Sequence, residues 1–200
     1  MRTIIFQILC ALTFQHLSAQ MPSSDFLLDE EWSPQRNILV QHYYIDSLDR
    51  PEIWLIDKHD SSNVFLLDSL SWRGTSVIFS PDQAWLVENV EIVSNFREIH
   101  LFKRIQGLHY SEVNDAHIYE KVFKLFAKTE HFHHLGEFGH ARVAAATWLP
   151  DSKAFLLIFD GWDNDQGVTV GGWTCLFDVN SLTATLDFNK YLRGGVKRHQ

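Results

Sequence analysis

Short apolar runs separated by polar turn residues dominate the chain from Asn37 onward. Two of them, at 52–56 and 64–67, flank the polar segment 57–63 in the manner of a hairpin. Runs of this length between polar breaks are typical of β-strands. The pattern recurs in the runs at 38–45, 75–79, 84–88, 97–104, 143–148, 153–159, 172–177 and 182–188. The sequence therefore predicts a mainly β domain over residues 37–193, built from antiparallel sheets.

One segment, from Ser111 to about Lys128, departs from this rhythm. Its apolar residues recur every three to five positions, as they do on one face of an amphipathic helix. Ser111 stands where a helix-capping residue would stand. We expect one helix near 111–128 that covers an edge or a face of a sheet, because uncovered edges invite aggregation.

The first 19 residues have the layout of a secretory signal peptide. Arg2 precedes an apolar run from Ile4 to Phe14, and Ser18 and Ala19 supply the small residues of a cleavage site. The run spans about 11 residues, whereas a helix that crosses a bilayer needs about 20. We therefore expect cleavage after Ala19, export to a periplasm or out of the cell, and no stable membrane insertion.

Two flanking segments fall outside the predicted domain. Residues 20–36 contain two prolines and four acidic residues without a sustained apolar period, so they are predicted to form an N-terminal arm. Residues 194–200 begin with two glycines and are predicted to form a tail. Of the two cysteines only Cys175 lies outside the leader, so no disulfide is expected within the mature chain.

The net charge of the chain is −8 at pH 7, and no stripe of lysine and arginine offsets it. Such a field repels phosphate backbones and anionic lipid headgroups. We therefore expect no nucleic-acid partner, and a protein is the expected class of partner. The sequence leaves the oligomeric state open.

Two stretches of the predicted domain share one local design. Phe79-Ser80-Pro81-Asp82 and Trp148-Leu149-Pro150-Asp151 each place an aromatic residue at the end of a strand and a Pro-Asp turn after it. A partial third copy, Ile53 to Asp57, matches only a later strand and its acidic end. The two copies resemble the WD40-like β-propeller repeat of the TolB-type family, whose signature is aromatic-Ser-Pro-Asp-Gly-x-x-Leu. Gln83 and Ser152 stand where that signature has glycine.

The resemblance implies blades of four strands, each about 40 to 45 residues long. Closed propellers need about four to eight blades, whereas the predicted domain has room for three at most. An open, propeller-like arrangement with one covering helix is therefore implied, or an association between chains. A β-sandwich, in which the Pro-Asp segments are ordinary turns, is the alternative. A repeat of this kind also implies a scaffold for interactions.

The segment from Asp160 to Asp165 is the first candidate binding site. The carboxylates of Asp160, Asp163 and Asp165 are the type of oxygen ligand that calcium prefers. Trp162 in the same segment and Trp32 in the arm lie beside acidic residues. Tryptophan brings a large contact area at low cost in conformational entropy. We expect both tryptophans to contact a protein partner.

Clustered histidines form the second candidate site. His131, His133 and His140 could bind zinc or copper as neutral imidazoles, although their spacing matches no established metal motif. The sequence has no Gly-x-Ser-x-Gly motif of the kind that carries a nucleophilic serine. Cys175 lies inside a predicted strand, where a buried thiol is inert. We therefore expect no cofactor and no catalytic residue.

Together these features predict an exported, non-catalytic binding or protein-interaction module of the cell envelope. One alternative is an exported metal-binding protein or metal-dependent hydrolase that uses the histidine cluster. A second alternative is a periplasmic inhibitor or immunity protein, which the small size and acidic charge permit.

Overall fold

The computed structural model describes residues 21–45, 50–69, 75–93, 96–130, 140–163 and 168–192. The predicted leader at 1–19 and the predicted tail at 194–200 lie outside these residues. The strands, in chain order, are β1 Leu27–Trp32, β2 Ile38–Ile45, β3 Arg50–Asp57, β4 Asp60–Asp68, β5 Thr75–Phe79, β6 Trp85–Val93, β7 Phe96–Gln106, β8 His109–Glu112, β9 His140–Trp148, β10 Ala154–Asp163, β11 Val168–Asp178 and β12 Thr183–Thr185. A 3₁₀ turn, Ser24–Phe26, precedes β1, and the helices are α1 Ile118–Thr129 and α2 Phe188–Leu192. None of the described helices is long and apolar enough to cross a membrane.

The strands form three consecutive four-stranded antiparallel units, which we call blades 1, 2 and 3. Blade 1 is β1–β4, blade 2 is β5–β8 and blade 3 is β9–β12, and strands that follow one another in a blade pair with each other. A short parallel pairing of Phe96–Arg97 with Ala141–Arg142 joins blades 2 and 3. The fold is therefore mainly β, with open antiparallel sheets in a propeller-like arrangement, as predicted. Three blades are fewer than the roughly four that the smallest closed ring requires.

One turn, repeated three times, joins the first two strands of every blade. The turns at 33–36, 80–83 and 149–152 each close with a backbone hydrogen bond of 2.8 to 3.0 Å from the last residue to the first. The last residue of each turn has a left-handed φ, of 54°, 58° and 59° in blades 1, 2 and 3. These left-handed residues are Arg36, Gln83 and Ser152. A turn followed by one left-handed residue is a common hairpin connection, so the repeat keeps its geometry without the glycine of the propeller signature.

The prediction of an N-terminal arm over 20–36 is wrong for its later part. Residues 27–32 form β1, which pairs with β2 of blade 1. The proline turn after Trp32 also completes the partial third copy, whose later strand lies in β3. The sequence prediction required aspartate after the proline. The turn itself depends on the fixed φ of Pro34 and on one left-handed residue, so Gln35 fits there as well.

The covering helix is present, but it begins later than predicted. Ser111 belongs to β8, which pairs with β7, and α1 begins only at Ile118. The pairing of β8 buries Tyr110 in the core, and this tertiary contact overrides the helical spacing that begins at Ser111. His117 precedes α1 and makes no side-chain capping hydrogen bond. α1 packs its apolar face into the core between blades 2 and 3, as expected of a covering helix.

Two apolar cores lie between neighbouring blades. The core between blades 1 and 2 contains Ile38, Val40, Ile53, Leu55, Val77, Phe79, Leu86 and Phe102, among others. The core between blades 2 and 3 includes α1 and contains Val87, Leu101, Val143, Trp148, Phe155, Leu157, Phe159 and Phe177, among others. Phe79 and Trp148, the aromatic residues of the repeat, are only 6% and 7% exposed. Both therefore point into the cores that join the blades.

Candidate functional site

A row of apolar residues crosses blade 2 and faces blade 1. Phe79, Leu86 and Phe102 lie opposite one another on β5, β6 and β7. They pack in one core with Val40 and Leu55 of blade 1. The first junction between blades is therefore a row of large side chains seated against aliphatic residues of the preceding blade.

Blade 3 repeats this arrangement against blade 2. Trp148, Phe155 and Phe177 lie opposite one another on β9, β10 and β11, and they pack in one core with residues of blade 2. The indole Nε1–H of Trp148 also donates a hydrogen bond of 2.9 Å to the backbone oxygen of Ile78. The second junction thus adds a polar contact to the same apolar design.

Blade 1 carries the same row on the face that points away from blade 2. Trp32, Leu39 and Ile56 lie opposite one another on β1, β2 and β3. Trp32 is 40% exposed, unlike its buried counterparts in blades 2 and 3. Ile56 and, two residues along β3, Trp54 are buried, so the open part of this face is its β1 end.

Two cations lie over the exposed indole ring of Trp32. Arg36 Cζ is 5.9 Å and Lys58 Nζ is 6.0 Å from the ring centroid. Both distances lie near the outer limit of about 6 Å for such contacts, so each contributes no more than about 0.5–1 kcal/mol at this exposed site. We call Trp32, Arg36 and Lys58 the Trp32 face. It is an aromatic surface with two positive charges beside it, and the exposed carboxylate of Glu30 lies two residues before Trp32 on the same face of β1.

The left-handed residues of the proline turns in blades 2 and 3 also take part in the junctions. Gln83 Nε2 donates to Ser33 Oγ of blade 1 at 3.0 Å. Ser152 Oγ accepts a hydrogen bond of 3.1 Å from the backbone N–H of Asp82 in blade 2. Arg36 has the same position in blade 1, and its side chain is exposed. The Trp32 face thus presents both the apolar and the polar part of a junction between blades.

The two tryptophans predicted to bind a partner lie at opposite ends of the sheets. Trp32 ends β1 beside the proline turn, whereas Trp162 lies near the end of β10 that leads to β11. Successive strands of a blade run in opposite directions, so these two strand ends point to opposite sides. Trp162 is 36% exposed. The structure therefore does not join Trp162 and Trp32 in one site.

The predicted calcium segment contains a side chain that is already engaged in the sheet. Asp160 Oδ1 accepts a hydrogen bond of 2.7 Å from the backbone N–H of Gly172. This bond spans an irregularity in the pairing of β10 with β11, where Gly172 has a left-handed φ of 67°. Asp163 ends β10, but its side chain and all of Asp165 lie outside the described residues. Calcium binding here therefore stays an untested alternative to the expected absence of a cofactor.

The predicted histidine cluster falls mostly outside the described part of the chain. His131 and His133 lie there entirely, and His140 begins β9 with its side chain undescribed. In the described ranges, no group of three histidine, cysteine, aspartate or glutamate side chains is placed to hold a metal ion. The zinc prediction is therefore carried forward as a prediction.

A cleft that the sequence did not reveal lies between β7, β8 and the start of α1. Its volume is about 360 Å³. His100 Nδ1 lies 2.7 Å from Glu112 Oε1, and its Nε2 lies 3.5 Å from Glu98 Oε2. His117 and Glu120 also line the cleft. These groups suit a cationic ligand, but both nitrogens of His100 already have carboxylate neighbours.

Glu88 of β6 is a buried carboxyl group between blades 1 and 2. It lies opposite Val77 and His100 on the neighbouring strands, and neither of its oxygens has a hydrogen-bond partner in the described structure. Burial first, and then the nearby carboxylates of Asp68 and Glu112, raise the pKa of Glu88 to about 9. Glu88 therefore keeps its proton at neutral pH. Nothing in the sequence of β6, which also contains Asn89 and Glu91, marks Glu88 as the buried carboxyl group.

The thiol of Cys175 is not activated. Cys175 is fully buried in β11, and burial raises the pKa of its thiol to about 12. A thiol that stays protonated at neutral pH is a poor nucleophile. This agrees with the inert role expected from the sequence.

Comparison with known proteins finds likeness in backbone structure alone. No family model matches the chain, and no curated protein matches it. TolB from Acinetobacter baumannii has a TM-score of 0.43 and 15% identity, over 80% of this chain and 31% of that chain. The β-propeller domain of the Trilobed protease from Pyrococcus furiosus, which has an open velcro topology, has a TM-score of 0.39 and 13% identity, over 80% and 42%.

A third structure, a putative 6-phosphogluconolactonase from Bacteroides fragilis, has a TM-score of 0.35 and 10% identity, over 72% of this chain and 37% of that chain. The chain thus spans less than half the length of each of these structures. At such scores and identities, the likenesses assign neither an activity nor a partner. Each likeness therefore covers only part of the other protein's length.

Proposed function

We propose that this chain is a non-catalytic protein-interaction module of the cell envelope that docks on its partner through the Trp32 face. The observation that carries the proposal is the equivalence of three aromatic rows. Two of them are buried against another sheet, whereas the third exposes Trp32. The exposed row therefore has the shape and chemistry that already bind a sheet twice in this molecule.

The energetics favour Trp32 as the central contact residue. Tryptophan and arginine are enriched among the residues whose truncation costs a protein interface about 2 kcal/mol or more. A loss of about 2 kcal/mol corresponds to a roughly 30-fold loss of affinity. Arg36 and Lys58 lie beside the ring, so a partner that covers Trp32 also meets two positive charges.

The envelope location rests on the signal-peptide layout of residues 1–19. Expression of the full chain followed by cell fractionation tests it. Mass spectrometry of the recovered protein is expected to show a mature chain that begins at Gln20. A full-length chain confined to the cytoplasm would contradict the envelope location and leave the docking face unaffected.

A capture experiment with matched variants tests the docking face. Wild-type protein, Trp32→Ala and the control Ile105→Ala are immobilised and exposed to an envelope extract, and each captured protein is then titrated in purified form. Ile105 is a suitable control because it is a well-exposed apolar residue of blade 2. We expect Trp32→Ala to lose at least tenfold in affinity and Ile105→Ala to keep it, with unchanged circular dichroism in both.

Trp162→Ala is the comparison that locates the site. If Trp162→Ala abolishes capture and Trp32→Ala does not, the partner binds at the β10–β11 end, and the docking face proposed here is wrong. If neither substitution changes the affinity for any captured protein, neither tryptophan carries the interaction.

A further inference from the structure

We propose that the partner of the Trp32 face is a second copy of this chain, whose blade 3 docks there. The inference rests on the proposed function, because it uses the same face. Two arcs of three blades then close a single ring with two identical junctions. Twice three blades is six, which lies within the roughly four to eight blades of closed propellers.

Blade 3 has residues against which such a row can pack. We call the aliphatic residues that receive a row the seat. At the first junction the seat includes Val40 and Leu55, which directly adjoin the row residues Leu39 and Ile56 along their strands. At the second junction the seat includes Val87 and Leu101, which adjoin Leu86 and Phe102 in the same way. In blade 3 the residues in these positions are Leu156 and Leu176.

Part of the seat on blade 3 is exposed to solvent. Val40 and Val87 are fully buried, whereas Leu156 is only half-buried. Thr147 lies opposite Leu156 on β9 and is exposed. The open part of blade 3 is therefore the β9 and β10 region, which corresponds to the open β1 end of blade 1.

The outer part of the same face is covered by α2. Lys190 Nζ lies 3.0 Å from Asp178 Oδ2, and Tyr191 donates a hydrogen bond to the same carboxylate. Desolvation would raise the pKa of Asp178, but these hydrogen bonds, together with those from the backbone N–H groups of Ser181 and Asn180, lower it. The docking contact is therefore confined to the inner strands of both blades.

The junction between blades 2 and 3 contains a hydrogen bond that the ring can repeat. Thr147 of blade 3 has the position of Ile78, whose backbone oxygen accepts the indole N–H of Trp148. The indole N–H of Trp32 has no hydrogen bond within the described part of the chain. In the ring, the backbone oxygen of Thr147 of the second copy accepts it.

The proline turns of blades 1 and 3 carry opposite charges. Gln83 and Ser152 each contact the turn of the preceding blade, and Arg36 has their position in blade 1. The turn that it meets on blade 3 of the second copy carries the exposed carboxylate of Asp151, which now lies 3.6 Å from Lys153. An arginine thus faces an aspartate across both junctions of the ring.

Sedimentation equilibrium of the purified mature chain tests the inference. We expect a dimer, and we expect Trp32→Glu and Thr147→Arg each to weaken dimerisation at least tenfold. Both positions are exposed, so circular dichroism is expected to stay unchanged, and Ile105→Glu serves as the control that leaves the dimer intact. A mixture of the Trp32→Glu and Thr147→Arg chains is expected to associate more tightly than either alone, because one junction of the mixed ring is then wild type.

Charge reversal supplies an independent arm. Arg36→Glu and Asp151→Arg are each expected to weaken the dimer, and the double variant is expected to regain part of the affinity. The inference would be overturned if the wild-type chain were monomeric at all concentrations up to about 100 μM. It would also be overturned if neither Trp32→Glu nor Thr147→Arg weakened the dimer.

The two proposals fail separately. A monomeric wild-type chain that still captures an envelope protein through Trp32 overturns the second copy and keeps the interaction module. A dimer that Trp32→Glu dissociates, with no other protein captured, keeps the ring and shows that the module binds only itself. If Trp32→Glu changes neither self-association nor capture, both proposals are wrong.

Discussion

Replacing Glu88 with glutamine is expected to stabilise the protein, and increasingly so as the pH rises. Glu88 lies buried between blades 1 and 2, and neither carboxyl oxygen has a hydrogen-bond partner in the described structure. Glutamine has nearly the same shape and cannot ionise. The substitution therefore removes the titration of this position and leaves the packing in place.

The magnitude follows from the pKa of Glu88, which burial and the nearby carboxylates of Asp68 and Glu112 together raise from 4.5 to about 9. Between these two values the folded chain holds a proton that the unfolded chain releases, so wild-type stability falls as the pH rises. One pH unit in this window costs up to about 1.4 kcal/mol. At pH 7, which is 2.5 units above 4.5, the accumulated cost is at most about 3.4 kcal/mol.

Urea unfolding at several pH values between 5 and 9 measures this cost. We expect the free energy of unfolding of Glu88→Gln to exceed that of the wild type by an amount that grows with pH. Glu120→Gln is the control for the loss of one carboxylate, because the side chain of Glu120 is well exposed. Glu120→Gln is expected to follow the wild-type profile.

Two outcomes would refute the reasoning on Glu88. Parallel profiles for Glu88→Gln and the wild type would mean that Glu88 ionises with an ordinary pKa in the folded protein. A variant that is less stable at every pH would mean that the carboxyl makes a stabilising contact, which glutamine cannot reproduce.

Three further predictions concern the turns, the thiol and the metal question. Glycine relieves the left-handed backbone equally at Arg36 and Gln83, but only Gln83→Gly loses hydrogen bonds to blade 1. In urea unfolding, Gln83→Gly should therefore be less stable than Arg36→Gly by about 1 kcal/mol or more. Equal stability of the two variants would contradict the role of Gln83. The buried thiol of Cys175 should resist a thiol reagent in the folded protein and react fully after unfolding, and rapid labelling of the folded chain would contradict its burial. Protein purified without a histidine tag should contain less than one zinc or copper per chain by elemental analysis, and stoichiometric metal would instead favour the alternative built on His131, His133 and His140.

The sequence predicted the local elements of this fold well. The alternation of apolar runs and turns predicted every strand except β1 and β8, and the Pro-Asp turns predicted the hairpins of blades 2 and 3. The first copy of the turn, after Trp32, was missed because it lacks the aspartate. The helix was placed too early because the spacing of side chains after Ser111 does not show that β8 pairs with β7.

The sequence could not predict which residues the blades bring together. His100, Glu98 and Glu112 share a cleft only because β8 folds back along β7. Trp162 and Trp32 resemble each other in sequence context, yet the alternating direction of the strands places them at opposite ends.

What the sequence determined by itself is most of the strands and turns, because hydrophobic period and turn chemistry act between near neighbours along the chain. Only the tertiary structure decided which face of each strand is buried between blades. That choice buries Glu88 and Phe79 and leaves Trp32 exposed. It depends on how whole sheets pack against one another, and residues far apart in the sequence make those contacts.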